Sequence, residues 1–380
     1  MKKNMNMTGY IEGFYGQLLS WESRKRIINS LSKNRMNFYF YAPKEDINHR
    51  FNWRNKYNLS WRSQFKDFTK FGKQKNINII AGIAPGLDFN FKNLTNNSIE
   101  IKKSDFNFLY NKSKQLLKDG ASAIALLLDD IPSDFEKNFG NEISEGTSHA
   151  ILANKLSQKL NQEIYFVPRI YADELIKDSP KYLLDVSKTL NRNIYLFYCG
   201  KNVISKTITI YSKIEKMFPN KIIYWDNYYA NDYCPRRLFI GPYIGRKGLN
   251  NVMINLTGLI NTDLLILDII ANTKNKKHPY EIWLKTLKNH GVPLIFNKLK
   301  IFFLKPDFGS EPSLLSLNIS STHFEALEFL LWSWKSKLSR EWYPYLFGLK
   351  QDLQINEDTL SSERLIKTQT LPLAQHINIT

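Results

Sequence analysis

Cysteine is nearly absent: Cys199 and Cys234 are the only two in 380 residues. Two such residues build no disulfide framework, and their spacing is not that of a zinc site, so free thiols are expected. The six histidines are scattered, with no His-x-x-x-His pair. No metal and no other cofactor is therefore expected. Long apolar runs are missing too. The longest candidates, Ala123–Leu128 and Phe329–Trp332, fall far short of the ~20 residues that span a bilayer. The N-terminus, Met1-Lys2-Lys3-Asn4-Met5-Asn6, meets an apolar strand pattern at once, without the apolar core or cleavage site of a secretory signal. No membrane association and a cytoplasmic location are the expectations. Nor does a Gly-x-Gly-x-x-Gly follow the first strand pattern, as a dinucleotide-binding fold requires; Glu12-Gly13-Phe14-Tyr15-Gly16 stands there.

Acidic residues are in deficit, 35 against 53 Lys and Arg, leaving a net charge of +18. Such an excess can attract nucleic acid or acidic surfaces. Here the lysines are spread along the chain among Asn and Ile, with no long basic run, zinc finger or RNA-binding aromatic signature. A solvated, diffuse charge is expected, with no nucleic-acid partner.

What is present is a core. Hydrophobic residues make up 43% and aromatic residues 14% of the chain, a globular composition. Short apolar runs alternate with longer amphipathic stretches. The strand candidates are Gly9–Phe14, Asn37–Ala42, Ile77–Ala84, Ala123–Leu128, Glu163–Val167, Asn193–Tyr198, Lys221–Trp225 and Asn251–Asn255. They are nearly continuous in apolar or β-branched residues, as strands buried on both faces must be. Between them, Leu152, Leu156 and Leu160 line one face of a helix over Ser148–Leu160. Eight strands alternating with helices predict a TIM (β/α)8 barrel of the α/β class. Lys277-His278-Pro279 breaks the pattern. The expected division is a catalytic barrel over residues 1–275 and a small helical region over 276–380, with aromatic-rich segments at Tyr280–His290 and Thr322–Lys337 and loose residues from about Thr359.

In a barrel of this kind the C-terminal strand ends carry the site. Glu12, Lys44, Asp88, Asp129, Asp130, Tyr171, Asp226, Asn227 and Asn255 stand there. The sharpest signal is Leu127-Leu128-Asp129-Asp130, two acids directly after a buried strand. Charge in that place is expensive and needs a reason. Strand neighbours face opposite ways, so both acids reach one site only if the chain turns there. A turn, a helix cap or a cation site remains open on the dipeptide alone. Trp225 through Tyr233 mixes aromatic walls with Asp and Asn, which suits a sugar ring and equally a structural loop. Gly13-Phe14-Tyr15-Gly16 allows close backbone approach or merely a tight turn. Lys44 beside Glu45 and Asp46 reads in isolation as an exposed charge cluster.

Taken together, these segments resemble glycoside hydrolase family 84, the O-GlcNAcases and hyaluronidase-like β-N-acetylglucosaminidases. The resemblance rests on Gly9-Tyr-Ile-Glu-Gly-Phe-Tyr-Gly16, Tyr41-Ala-Pro-Lys-Glu-Asp46 with His49-Arg50, Pro85-Gly-Leu-Asp88, Leu127-Leu-Asp-Asp-Ile131, Trp225-Asp-Asn227 through Asn231-Asp-Tyr233, and Leu238-Phe-Ile-Gly-Pro-Tyr-Ile-Gly-Arg246. They occur in the family's order over roughly Thr8 to Thr273 and exclude the helical tail. The resemblance implies hydrolysis of terminal β-linked GlcNAc, conceivably from proteins, with retention, the substrate's acetamido oxygen attacking to form an oxazoline. That mechanism lies outside the two-carboxylate scheme. It implies that Asp129 orients and polarises the acetamido N–H and that Asp130 serves as general acid and then base. Acids so close are expected to titrate as a pair, one keeping its proton at neutral pH. It further implies that Asp232, Gly13 and Lys44 hold the sugar. Asn227 and Asn255 would contact the acetamido or ring oxygens, and Tyr171 and Trp225 would shape the acetamido pocket. The partner implied is a GlcNAc-containing glycoconjugate; the oligomeric state is not readable. Departures from the family's usual pattern are Leu18-Leu19 in place of Pro-Trp, Tyr198-Cys199-Gly200 in place of Trp-Thr-Gly, and Leu256 in place of Pro. These bear on aglycone preference. The alternatives are a carbohydrate-binding pseudoenzyme of the same fold and, from charge alone, a nucleic-acid binder.

Overall fold

The computed structural model describes residues 6–94, 104–140, 142–208, 212–274, 276–304 and 319–357. Eight parallel strands close into a barrel in sequence order: β1 Thr8–Glu12, β2 Phe38–Tyr41, β3 Asn78–Ile83, β4 Ala123–Leu127, β5 Ile164–Val167, β6 Ile194–Tyr198, β7 Ile222–Asp226 and β8 Val252–Asn255. β8 pairs back onto β1, with Gly9 opposite Met253 and Ile11 opposite Asn255, so no edge is left open. Each expected strand is present. The helices are α1 Trp21–Lys33, α2 Leu59–Gln74, α3 Asp105–Lys118, α4 Phe135–Phe139, α5 Glu145–Leu160, α6 Tyr182–Thr189, α7 Ser212–Met217 and α8 Ile260–Thr273 around the barrel. Then follow α9 Pro279–Asn289, α10 Ser321–Glu328 and α11 Lys337–Asn356. Starts are set locally by side chains: Ser20, Asn58, Ser104 and Ser144 each accept a bond from a first-turn amide. No described helix is long and apolar enough to cross a membrane.

The period-2 alternation of the strands sorts residues into two cores. One face of each strand fills the lumen: Ile11, Phe38, Phe40, Ala42, Ile80, Ala125, Leu127, Phe197, Ile223, Trp225 and Met253 pack together. The other face packs on the helices and includes Tyr10, Tyr39, Tyr41, Ile79, Leu126, Leu128 and Tyr224. Two of the polar strand-end residues belong to this outer layer. Glu12 accepts bonds from Arg24 Nε (2.9 Å) and Nη2 (2.8 Å) and from the Tyr39 hydroxyl at 2.5 Å, all buried. Asp226 takes Arg246 Nε and Nη2, each at 2.8 Å, and the Tyr243 hydroxyl at 2.7 Å. Both acids stand at the strand ends, as the sequence suggested, but neutralise buried arginines behind the barrel wall.

The described residues after 275 are largely helical, and α9 and α11 pack against α8. Trp283 donates to the Ile240 carbonyl at 2.6 Å. The aromatic segment Thr322–Lys337 is not one run: α10 passes into a π-helical turn at Phe329–Ser333, the chain becomes extended at Trp334, and Ser336 caps α11. The break lets the Trp334 indole donate to the Gly291 carbonyl at 3.1 Å. α11 reaches back to the barrel. Glu341 accepts from the amides of Asn261 (2.9 Å) and Thr262 (2.8 Å) and from both their side chains. It thus satisfies the start of α8, whose preceding residue Leu259 offers no capping side chain. Trp342, fully buried, donates to Thr262 Oγ1 at 3.0 Å and packs on Phe296 and Phe303. The Tyr345 hydroxyl accepts a bond from Asn231 Nδ2 at 2.9 Å. The expectation of loose residues from about Thr359 lies outside the described residues.

Two histidines are sealed inside. His49 donates from Nδ1 to the Gly82 carbonyl at 2.9 Å, and His149 Nδ1 lies 2.9 Å from the Tyr182 hydroxyl. Burial, then the charges of Lys44 and Arg169 respectively, pushes each down to about 3. The folded protein leaves both neutral where the unfolded chain protonates them below ~6.5, so stability falls as pH falls through this range. Asp263 works the other way. Burial raises its carboxyl to about 6, so it takes a proton in the folded state first and gains stability between about pH 6 and pH 4. Two groups against one leave a net loss of roughly 1 kcal/mol per pH unit over that interval. The urea midpoint is expected to be lower at pH 5 than at pH 7; an equal or higher midpoint at pH 5 refutes this account.

Candidate active site

The lumen alternation continues past the strand ends and delivers side chains to one mouth. Ile11 is followed two residues on by Gly13, Ala42 by Lys44, Leu127 by Asp129, Trp225 by Asn227 and Met253 by Asn255. All line a cavity of about 300 Å³ at the C-terminal end of the barrel. Tyr171, Trp225, Asp130 and Asp232 line it too, so the residues that the family resemblance assigned to the site are brought together, whereas the strand-end acids Glu12, Asp88 and Asp226 are not among them.

Asp130 arrives by a different route. The strand alternation aims it at the helices, beside Leu128. It adopts a left-handed backbone, φ 52°, and its side chain returns to the cavity. Positive φ is uncommon outside glycine, though aspartate tolerates it better than most. This is the turn that the adjacent acids require. Asp129 meets Lys44 Nζ at 2.5 Å, and the same nitrogen lies 3.8 Å from Asp130 Oδ2. Lys44 is buried between the acids rather than part of an exposed cluster. Asp130 accepts from the Tyr171 hydroxyl (2.7 Å) at one oxygen and from the Tyr15 hydroxyl (2.8 Å) at the other.

These contacts bear on the expectation that one acid of the pair keeps its proton. Burial pushes the Asp130 carboxyl up, but Lys44, the two phenols and Arg50 outweigh it and hold the group below the usual carboxylate range. The unliganded site therefore does not keep a proton on Asp130 at neutral pH. The cation and the two phenols together favour the ionised form of Asp130. Burial and the neighbouring Asp130 push both tyrosines upward, so they remain donors.

A chain of amides forms the opposite wall. Gly13 N donates to Asn255 Oδ1 (3.2 Å), while Asn255 Nδ2 (3.1 Å) and Trp225 Nε1 (2.9 Å) both donate to Asn227 Oδ1. Asn227 Nδ2 donates to the Val203 carbonyl at 2.9 Å. Glycine is required at 13 because a Cβ there would lie 2.5 Å from the Trp225 ring. Asp232 accepts the Tyr15 amide at 3.1 Å. Asp129 Oδ1 is buried and has no partner. Among the described residues no group of three or more His, Cys, Asp or Glu could hold a metal.

Sequence reasoning passed over Tyr15, Val203 and Ile204 as wall residues, and Arg50 behind the wall, whereas Cys199 and Tyr233 lay in segments read as pocket wall. Tyr15, Arg50 and Tyr233 lie inside segments already singled out; Val203 and Ile204 carry no signal beyond being apolar in a loop. Asp88 does not reach this cavity. It is held by Trp53 Nε1 at 2.7 Å and Arg54 Nη1 at 2.5 Å and borders a neighbouring cavity.

A model of the β-N-acetylglucosaminidase family matches residues 8–261, which contain every one of these site residues. The chain belongs to the β-N-acetylglucosaminidase family. The resemblance to glycoside hydrolase family 84 carried by the motifs is thereby borne out. Among β-N-acetylglucosaminidase relatives, the protein O-GlcNAcases of Rattus norvegicus and Mus musculus are each 32% identical over 251 residues, 63% of this chain and 26% of theirs. The chain thus spans about a quarter of the length of these relatives. Two solved structures share the fold. A variant of the Thermobaculum terrenum O-GlcNAc hydrolase gives a TM-score of 0.74 at 22% identity, covering 98% of this chain and 88% of that one. CpGH84B gives 0.71 at 22% identity, covering 95% and 71%.

Proposed function

We propose that this chain is a retaining β-N-acetylglucosaminidase acting on terminal β-linked GlcNAc by substrate-assisted catalysis, without metal or cofactor. The observation that carries this is Asp129 Oδ1, a buried acceptor without a partner, beside an acid gripped by two phenols. An unmet buried acceptor is costly, and an acetamido N–H satisfies it. With that N–H held by Asp129, the acetamido oxygen attacks the anomeric carbon while Asp130 gives a proton to the departing oxygen. Water then opens the oxazoline, losing its proton to Asp130. Because the free site holds Asp130 ionised, binding must raise its affinity for the proton; displacing water and engaging the tyrosine donors does so.

GlcNAc attached to proteins is the substrate favoured, since the curated relatives are named for it. The proposal extends to a reducing, cytoplasmic setting, which suits two cysteines, Cys199 and Cys234, that are not joined in a disulfide, and to a division at residue 275 between catalytic barrel and helical region. Turnover of 4-nitrophenyl β-GlcNAc tests the activity; tight binding of GlcNAc-derived inhibitors with no turnover marks the pseudoenzyme instead.

Asp232 is assigned to the sugar's outer hydroxyls. A carboxylate accepting such bonds contributes ~1.5–3 kcal/mol each. Asp232→Ala is expected to weaken inhibitor binding at least ~10-fold, with equal rate losses for good and poor leaving groups. Among the described residues Asp232 accepts from the exposed Tyr15 amide. Unchanged inhibitor affinity with a lowered melting temperature would mean that Asp232 only shapes its loop.

A further inference from the structure

We propose that Arg50 is a positioning residue for the general acid, holding the Asp130 backbone in the turn that points its carboxylate into the cavity. The inference rests on the reading of Asp130 as that acid. Strand alternation sends position 130 outward, and φ 52° reverses it. The carbonyl of the same residue accepts a bond from Arg50 Nη2 at 2.5 Å. Arg50 is 6% exposed, and its other terminal nitrogen, Nη1, is buried with no partner. An unpaired buried donor is a cost. An arginine kept for packing alone could be replaced by an apolar side chain without it. What remains to justify the guanidinium is its bond to Asp130 and its charge beside that acid.

The loop that carries Arg50 is held with unusual care. Asp46 accepts from the hydroxyls of Tyr41 (2.6 Å) and Tyr57 (2.9 Å) and from the Asn48 amide (2.9 Å). The buried Lys112 donates to the Asn48 carbonyl and, at 2.8 Å, to that of Asn55. On either side of the adjoining His49, its ring holds the Gly82 carbonyl and its own carbonyl holds the Ala84 amide, both at 2.9 Å. The loop that carries the guanidinium is thus fixed against β3 and α3, independently of the turn that Arg50 grips. Its charge adds a second effect, since a cation near Asp130 favours the ionised form.

The test is leaving-group dependence in Arg50→Met and Arg50→Lys, with 4-nitrophenyl and 4-methoxyphenyl β-GlcNAc as good and poor leaving groups. Misplacing the acid by about an ångström is expected to cost ~10²-fold in kcat/KM for the methoxyphenyl substrate. The nitrophenyl substrate, which needs little protonation, should lose only a small factor. In Arg50→Met the alkaline limb of the methoxyphenyl pH profile should move to higher pH, because the acid keeps its proton longer without the cation. Arg50→Lys should show the selectivity defect with that limb near its original place. Equal losses on both substrates, with the limb unmoved and only the melting temperature lowered, overturn the proposal. Should Arg50→Met fail to fold, the substrate ratio in Arg50→Lys decides alone. Asp130→Asn run alongside separates the two levels: if it shows no leaving-group selectivity, the acid assignment itself fails. If it does and the Arg50 variants do not, only Arg50 is wrongly placed.

Discussion

Asp130→Asn is expected to lower kcat/KM for glycosides with poor leaving groups by ~10²–10⁴-fold, the usual worth of general acid catalysis, while activated aryl glycosides lose far less. Asparagine is nearly isosteric and can still accept from Tyr15 or Tyr171, which bond the two carboxylate oxygens at 2.8 and 2.7 Å. The turn at φ 52° also suits asparagine, a residue enriched there. Folding should therefore be nearly unaffected, and the loss should be chemical. The asymmetry between substrates is the diagnostic feature. A nitrophenolate leaves without a proton, whereas a serine-like alkoxide does not. Equal losses for both substrates contradict the acid role and point instead to damage in sugar binding.

Asp129→Asn should slow turnover ~10²–10³-fold even on activated aryl glycosides, the scale on which removing one fixed stabilising group from a reacting centre is felt. Its work lies on the nucleophile's side. As the acetamido oxygen attacks, positive charge builds on the amide, and a carboxylate at the buried, unpartnered Oδ1 position meets it. A neutral amide does not. The substitution also takes the charge from the group that Lys44 meets at 2.5 Å, so the buried cation keeps an acceptor there but only Asp130 as a counter-charge. A thiazoline that mimics the oxazoline should bind the unmutated protein tightly and this variant poorly. Equal affinity for both removes substrate assistance through Asp129.

Legibility followed the physics of the barrel. Continuous apolar runs marked all eight strands because strands covered on both faces tolerate little else. The same alternation that builds the lumen places Gly13, Lys44, Asp129, Asn227 and Asn255 at the mouth, each two residues beyond a lumen residue. Glu12 and Asp226 sit one residue out of that phase, and counting by twos from Ile11 and Trp225 assigns them to the helix side. Asp130 escapes such counting because a single backbone angle, absent from any pattern, turns it around. Its ionisation escapes the sequence for a related reason: the acids are neighbours in sequence, but Lys44 stands between them only in space. The family's motifs supplied what alternation does not reach, notably Tyr171 and Asp232, which lie on loops. Val203 and Ile204 reach the wall through loop geometry that follows no period.

The bonds from α11 set a limit on how short this protein can be made. Cutting the chain near residue 275, where its architecture changes, would strip Glu341 from the first amides of α8 and Trp342 from Thr262. It would also remove Tyr345 from Asn231, the immediate neighbour of Asp232. A fragment designed as an isolated barrel would start its last helix without the Glu341 carboxylate and would leave the Ile240 carbonyl without the Trp283 indole. A fragment to express therefore has to include α11 at least, and a fusion partner is better attached after that helix than spliced at the barrel's end.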